Sequence, residues 1–286
     1  MPKCLTLAQI EQYREEGCVL PIRIMSETAA IELRGRLEAF EQRTGGPLQG
    51  DMRHKSHLLY TWLAELVRRS SILDTVEDLY GPDLLCWTTN FFIKEAADRA
   101  FVSWHQDSTY WGLSTQDVVT AWVAFTEANG AMEYIPGSHK LDQIPHRDTF
   151  ARHNLLTRGQ EVMVEVDRSQ RRIITLRPGE MSLHHVRLVH GSPPNPSNDR
   201  RIGFAIRYIP TMVGTRTVPP SYAARIATTI SSQSRSRLAI STRNSSHFTA
   251  RSLSATPRSF IAAPTSPATT SRRRGRNAVE PAPTAG

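Results

Sequence analysis

Between Leu84 and Ile209 the apolar residues fall into seven short runs, of four to ten residues each: Leu84–Ile93, Val118–Phe125, Ala131–Ile135, Val162–Val166, Ile173–Leu176, Met181–His190 and Ile202–Ile209. Turn signals stand between them at Ala128-Asn129-Gly130, Pro136-Gly137 and Arg177-Pro178-Gly179. The runs are rich in β-branched and aromatic residues, which suit a pleated, half-buried surface, and Gly or Pro at the joints ends a strand cleanly. Successive strands without regular intervening helices pair antiparallel and close into a sandwich or barrel. A mainly β core of the jelly-roll kind is expected.

Upstream the apolar period lengthens from two to between three and four. Thr6 can cap a helix over Leu7–Glu16 that Gly17 stops. Ser26-Glu27 opens a second helix, with Ala30, Leu33, Leu37 and Phe40 on one face and Gly45-Gly46 at its end. A third helical run is expected from His57 to Tyr80, closed by Gly81-Pro82. The expected domain covers residues 1–213, with a helical lead-in over 5–82 and a β-core over 83–213.

Beyond Met212 the pattern stops. Residues 214–286 hold 24 Ser or Thr, eleven Arg, no Lys and one acid, Glu280. Such a composition cannot bury enough apolar area to offset chain entropy, so a disordered low-complexity tail is expected. The tail also explains the formal charge of +8: without it, 24 basic residues face 26 acidic ones, and the body is near −2. That leaves no electrostatic footprint for nucleic acid on the body, and Arg272–Arg276 is expected to be a solvated charge run. Cys4, Cys18 and Cys86 have neither metal-type nor disulfide-framework spacing. No membrane span or signal peptide is visible. A cytoplasmic enzyme acting on a small molecule is expected, as a monomer or weak homo-oligomer with no nucleic-acid or membrane partner.

Trp104-His105-Gln106-Asp107 carries the first chemical signal. In an extended segment residues two apart share a face, so His105 and Asp107 can offer an imidazole nitrogen and a carboxylate oxygen to one ion. Alone this is weak, because ten histidines and Asp at about one residue in twenty give such a pair by chance about half the time. A third ligand strengthens it. Strand parity within Met181–His190 nominates His184 and His190 together, and Gly191-Ser192 gives the backbone room after His190. Two imidazoles and one carboxylate on one octahedral face, with three positions open, is the non-haem Fe(II) oxygenase pattern. Arg201, across the Pro193–Asp199 turn, offers a planar guanidinium for the far carboxylate of 2-oxoglutarate, and Ser192 a hydroxyl. A hairpin of that length is expected to set Arg201 beside the His190 strand. Arg200 and Arg207 are rival cations, with Arg207 sharing the face of Arg201.

The blocks WHQD, ANGAMEYIPGSHK and HGSPPNPSNDRR resemble those of the phytanoyl-CoA dioxygenase family of Fe(II)/2-oxoglutarate oxygenases, and the similarity runs over roughly residues 6–212. The resemblance implies a double-stranded β-helix core, iron held by His105, Asp107 and His190, and 2-oxoglutarate held by Arg201. It also implies O2 as co-substrate, with ascorbate in support. It sets Trp122 at the border of the 2-oxoglutarate pocket, a place that core packing explains equally well. Thr109, Tyr110, Trp111, Asn90 and Phe92 are substrate-pocket candidates, with Lys94 on the same strand as the last two. His184 and His185 are expected to be strand residues making ordinary hydrogen bonds, and His139 to belong to the turn Pro136-Gly137-Ser138-His139, with a place near the cofactor as the alternative. Halogenating relatives carry a small residue where Asp107 stands, so hydroxylation is expected over chlorination. Two rival readings remain: a metal-binding cupin-like protein without oxygenase activity, and an inactive member truncated or frameshifted before the Ser/Arg tail.

Overall fold

The computed structural model describes residues 1–213 and the backbone of 228–230; the side chains of Asp51 and Tyr110 fall outside the described set. The expected disorder of the tail, Arg272–Arg276 included, lies outside the described residues.

Helix α1 spans Leu7–Glu16, begun by a capping box between Thr6 and Gln9 and ended by Gly17 in the left-handed region at φ 78°. Strand β1, Cys18–Arg23, follows at once, with no counterpart among the expected strands because Pro21 interrupts its pattern. Helix α2 covers Glu27–Thr44, capped by Ser26 and closed by Gly45. The expected third helix is instead a 3-10 turn at Ser56–Leu58 followed by α3, Thr61–Leu66, and α4, Ser70–Tyr80. The break falls at Arg69, whose backbone is extended. The Arg69 Nε and the Ser71 hydroxyl both donate to the Ile24 carbonyl, at 3.0 and 2.8 Å. A tertiary anchor thus ends a helix that local periodicity would have continued.

The strands that follow are β2 (Leu84–Lys94), β3 (Val102–His105), β4 (Val119–Ala124), β5 (Met132–Tyr134), β6 (His146–Asp148), β7 (Gln160–Val162), β8 (Arg172–Ile174), β9 (Glu180–His185), β10 (His190–Ser192), β11 (Arg201–Pro210) and β12 (Thr228–Ile230). They form a six-stranded sheet in the order β1-β9-β4-β11-β2-β12, a four-stranded sheet β3-β10-β5-β8, and the pair β6-β7. All pairings are antiparallel. This is the expected mainly β jelly-roll, with the helices at its N-terminal side.

Period-two alternation decides what each face of the large sheet does. Val119, Ala121 and Val123 of β4 and Ile202, Phe204, Ile206 and Tyr208 of β11 pack in one core with Leu37, Leu63, Ile72 and Val76 of the helices. Each such side chain contributes roughly 1.5–3 kcal/mol on burial. The alternate residues face the small sheet: Trp122 and Ala205 pack with Met132, Tyr134 and Leu188. Because both faces are covered, β4 and β11 read as continuous apolar runs.

The run Met181–His190 is two strands in different sheets. The chain leaves the large sheet at His185, turns through a Leu188 N–H to His185 carbonyl bond of 2.9 Å, and enters the small sheet at His190. Parity counted from His184 to His190 therefore has no single strand to act on.

Candidate metal centre and its two cavities

His105 ends β3, His190 begins β10, and the two are direct partners in the antiparallel register. Their ring centroids lie 4.2 Å apart. Asp107 opens the 3-10 turn just after β3. Donor atoms of the three residues all fall within 4.8 Å of one another, and all three residues are buried. The expected triad is thus assembled in space.

The hydrogen bonding gives each imidazole one tautomer. His105 Nδ1 lies 2.9 Å from the Ser103 carbonyl, and His190 Nδ1 lies 2.8 Å from the Leu188 carbonyl. A carbonyl only accepts, so Nδ1 carries the proton in both rings and Nε2 is left with a bare lone pair. His105 Nε2 points at Asp107 Oδ1, 3.3 Å away. Converging lone pairs on two imidazoles and a carboxylate repel one another until a cation sits between them, and a hard N,N,O set of this kind fits Fe(II).

The surroundings keep Asp107 and His190 in their ligand forms. Burial alone would raise the Asp107 carboxyl, but the Arg207 guanidinium 3.4 Å away holds it well below the usual carboxylate range. The Thr120 hydroxyl stands 3.5 Å from the same oxygen. Burial, with His105 alongside, pushes His190 down to about 4, so its ring is neutral near pH 7.

Two cavities meet at this centre. The smaller, about 20 Å³ of water-accessible space, is lined by His105, His190, Trp122, His184, Ser192 and Arg201 among others. Arg201 is 2% exposed, lies 4.9 Å over the Trp122 ring and donates one bond, to the Gly130 carbonyl at 2.9 Å. Its Nε and the Nδ1 of His184 are buried with no partner among the described residues. Burial lowers Arg201 only to about 10, so it stays charged. An uncompensated buried guanidinium with spare donors fits a carboxylate of a bound dicarboxylate. Ser192 Oγ accepts from Lys94 Nζ at 2.7 Å, which leaves its own proton to donate into the cavity.

Arg201 does not reach this place by a hairpin with β10, as its spacing suggested. It sits on the opposite sheet, paired with Lys94 of β2, and faces His190 across the sandwich. The intervening turn is pinned outside: Arg34 grips Asp199 at 2.6 and 2.7 Å, and Arg200 bonds Glu41. That contact removes Arg200 as a rival cation. Arg207, the other rival, shares Arg201's face as parity required, and spends itself on Asp107 and on Asn90 Oδ1 at 2.6 Å.

The larger cleft, about 820 Å³, is lined by Asp107, Arg207, Asn90, Phe92, Trp87 and Trp111 among others, and shares Phe92 and Arg207 with the smaller cavity. Trp111 stacks against Trp87 at 4.8 Å. Thr109 is not brought to either cavity: its hydroxyl donates to the Gln106 carbonyl at 2.9 Å. The side chain of Tyr110 lies outside the described residues. His139 is distant from the triad, bonded to the Arg14 carbonyl and packed on His185.

Two residues that the sequence named without a settled role have defined places at the site. Lys94 is fully buried and braces Ser192, and only its place opposite Arg201 in the ladder, invisible without pairing, reveals that. His184 comes from the other sheet to within 5.0 Å of the His190 ring, and its neighbours push it well below the usual histidine range, burial foremost.

A family model described as phytanoyl-CoA dioxygenase (PhyH) matches residues 1–203. Among curated proteins, the chain is 31% identical over 159 residues to a probable alpha-ketoglutarate-dependent hypophosphite dioxygenase of Stutzerimonas stutzeri, covering 53% of this chain and 54% of that one. The chain thus spans about half the length of that relative. An L-proline trans-4-hydroxylase of Streptomyces griseoviridis is 25% identical over 224 residues, 69% of this chain and 84% of the relative. Among solved structures, the non-heme monooxygenase ThoJ in its apo form superposes with a TM-score of 0.68 at 31% identity, over 78% of this chain and 83% of that one. The carbocyclase SnoK from nogalamycin biosynthesis, at 24% identity and a TM-score of 0.61 over 79% and 93% of the two chains, shares the fold. On the match of the family model over most of its length, the chain belongs to the phytanoyl-CoA dioxygenase family.

Proposed function

We propose that the protein is an Fe(II)- and 2-oxoglutarate-dependent dioxygenase that hydroxylates an aliphatic C–H bond of a small molecule. One observation carries the reading: a converging His105–Asp107–His190 set lies where a small cavity with an unpaired buried guanidinium meets a wide cleft. When bound, iron with 2-oxoglutarate and O2 supplies the oxidising power, releasing succinate and CO2 and passing one oxygen atom to the substrate.

The residues of the chain bind, orient and exclude water. Arg201 and Ser192 hold the far carboxylate of 2-oxoglutarate, and Trp122 packs beneath the Arg201 guanidinium and keeps that cavity narrow. Arg207 and Thr120 hold Asp107 ionised and aimed. Asp107 faces the wide cleft while His105 and His190 face the small one, so the substrate approaches from the Asp107 side. A cytoplasmic setting belongs to the same reading: the three cysteines are free thiols, and no helix among the described residues is long and apolar enough to cross a membrane.

Anaerobic addition of Fe(II) and 2-oxoglutarate should give a weak visible charge-transfer band, and O2 should then yield succinate. Asp107→Ala should abolish both. A protein that takes up Fe(II) but gives no band with 2-oxoglutarate is a metal-binding protein of the same fold, and the oxygenase reading fails.

A further inference from the structure

We propose that the wide cleft takes a substrate bearing an anionic head, a carboxylate or a phosphoryl group, held by Arg53, Lys55 and Arg152, with its apolar part laid along Trp87 and Trp111 toward Asp107. The inference rests on the assignment of iron and 2-oxoglutarate to the centre beside it.

Charge is the first ground. The cleft wall carries Arg53, Lys55, Arg152 and Arg207, and among its described residues Asp107 is the single acid. Arg207 and Asp107 satisfy each other at 3.4 Å. Three cations remain, and none of them has a carboxylate within ion-pair distance among the described residues. Several arginines elsewhere on the body are matched, Arg23 by Glu180, Arg34 by Asp199, Arg147 by Glu161, Arg172 by Glu16 and Arg200 by Glu41, while others such as Arg36, Arg68 and Arg99 stand without an ion pair among the described residues. The body as a whole is slightly acidic, so the cleft is not sharing a general positive field.

Burial is the second ground. Arg53 and Lys55 are half-buried, while Arg152 is exposed, and loss of solvent is what lowers the first two. A half-buried cation with no counter-charge is unfavourable unless something supplies one. Among the described residues Arg53 makes one hydrogen bond, to the Phe91 carbonyl at 3.3 Å, which leaves most of its five donors unspent.

Rigidity is the third. The two segments that bring these cations are tied by backbone to β2 and to the residue just before β3. His54 bridges to Asn90 of β2, and the Lys55 N–H donates to the Thr89 carbonyl at 2.8 Å. Asn154 bridges to Phe101, just before β3. The cations are therefore held on the wall of the cleft that Asp107 lines, and the adjoining indoles of Trp87 and Trp111 give the same cleft an apolar wall. An anion gripped at the basic wall fixes the distance from head group to reacting carbon.

Calorimetric titration of the full chain, metal-free and loaded anaerobically with Fe(II) and 2-oxoglutarate, tests this with four probes: octyl phosphate, octanoate, octanol and octylamine. One or both anions should bind at least about tenfold tighter than octanol, the scale of one or two charge-assisted hydrogen bonds, with octylamine weakest. Whichever anion binds better names the head group. The double variant Arg53→Gln/Arg152→Gln should lose that advantage while keeping its octanol affinity, which also reports that it is folded. Equal affinity for octanol or octylamine, an anion preference that survives the double variant, or no anion binding at millimolar concentration would each overturn the proposal. The charge-transfer band, read on the loaded samples, is separate: its absence with the anion preference intact sinks the iron assignment alone, and the reverse result sinks this one alone.

Discussion

Arg201 is as buried as the aliphatic residues around it, yet among the described residues its charge is met by nothing but a carbonyl and an indole face. Arg201→Gln removes the charge and the fork, and should weaken 2-oxoglutarate binding by about 1.5–3 kcal/mol, roughly ten- to a hundredfold, in a titration of the charge-transfer band. An unchanged midpoint would show that the guanidinium serves packing alone. At this scale much of the site was legible. His105 and Asp107 are two apart in one extended segment, so local geometry suffices to pair them. His190 and Arg201 were reached by a turn signal, by parity and by the quoted family blocks. Lys94 and His184 were candidates without a role, because each matters through a neighbour on another strand, and nothing local in the sequence records that neighbour.

At the level of elements, β11 shows how alternation builds a site inside a core strand. Its even residues fill the helix-packed core, while Arg201, Gly203, Ala205 and Arg207 look inward. Gly203 is where the Trp122 ring crosses the strand: a Cβ there would lie 1.9 Å from Trp122 Cζ2. Gly203→Ala must therefore push the indole away from Arg201, and 2-oxoglutarate affinity should fall with little change in far-UV circular dichroism. Retained affinity would mean that the ring's position is immaterial to the co-substrate. The strands with strong β composition were foreseeable. β1, broken by Pro21, and the division of Met181–His190 between two sheets were not, because composition does not say where a chain changes sheet. The third helix failed for the converse reason: its apolar spacing is continuous, and the carbonyl of Ile24 decides where it stops.

For the molecule as a whole, buried neutral histidines set the response to acid. Burial pushes His57, beside Thr89 and Cys86, and His185, beside His139, each down to about 4. The unfolded chain takes up those protons below about pH 6.5 while the folded one resists until about pH 4. The stability they lend is complete above the upper value and is lost as the pH falls toward the lower, by about 1.4 kcal/mol per pH unit for each. Urea unfolding of the metal-free chain between pH 6.5 and 4.5 should show this slope, and His57→Gln/His185→Gln should flatten it; parallel curves would mean that these rings do not couple to folding.

His105 and His190 also stand directly across from one another on two of the shortest strands, remote in sequence but adjacent in the ladder. An ion held by both rings is a clasp across that seam as well as a reagent. Emptying the centre then unfastens part of its own wall, and amide exchange over β3 and β10 should quicken first when iron is chelated away.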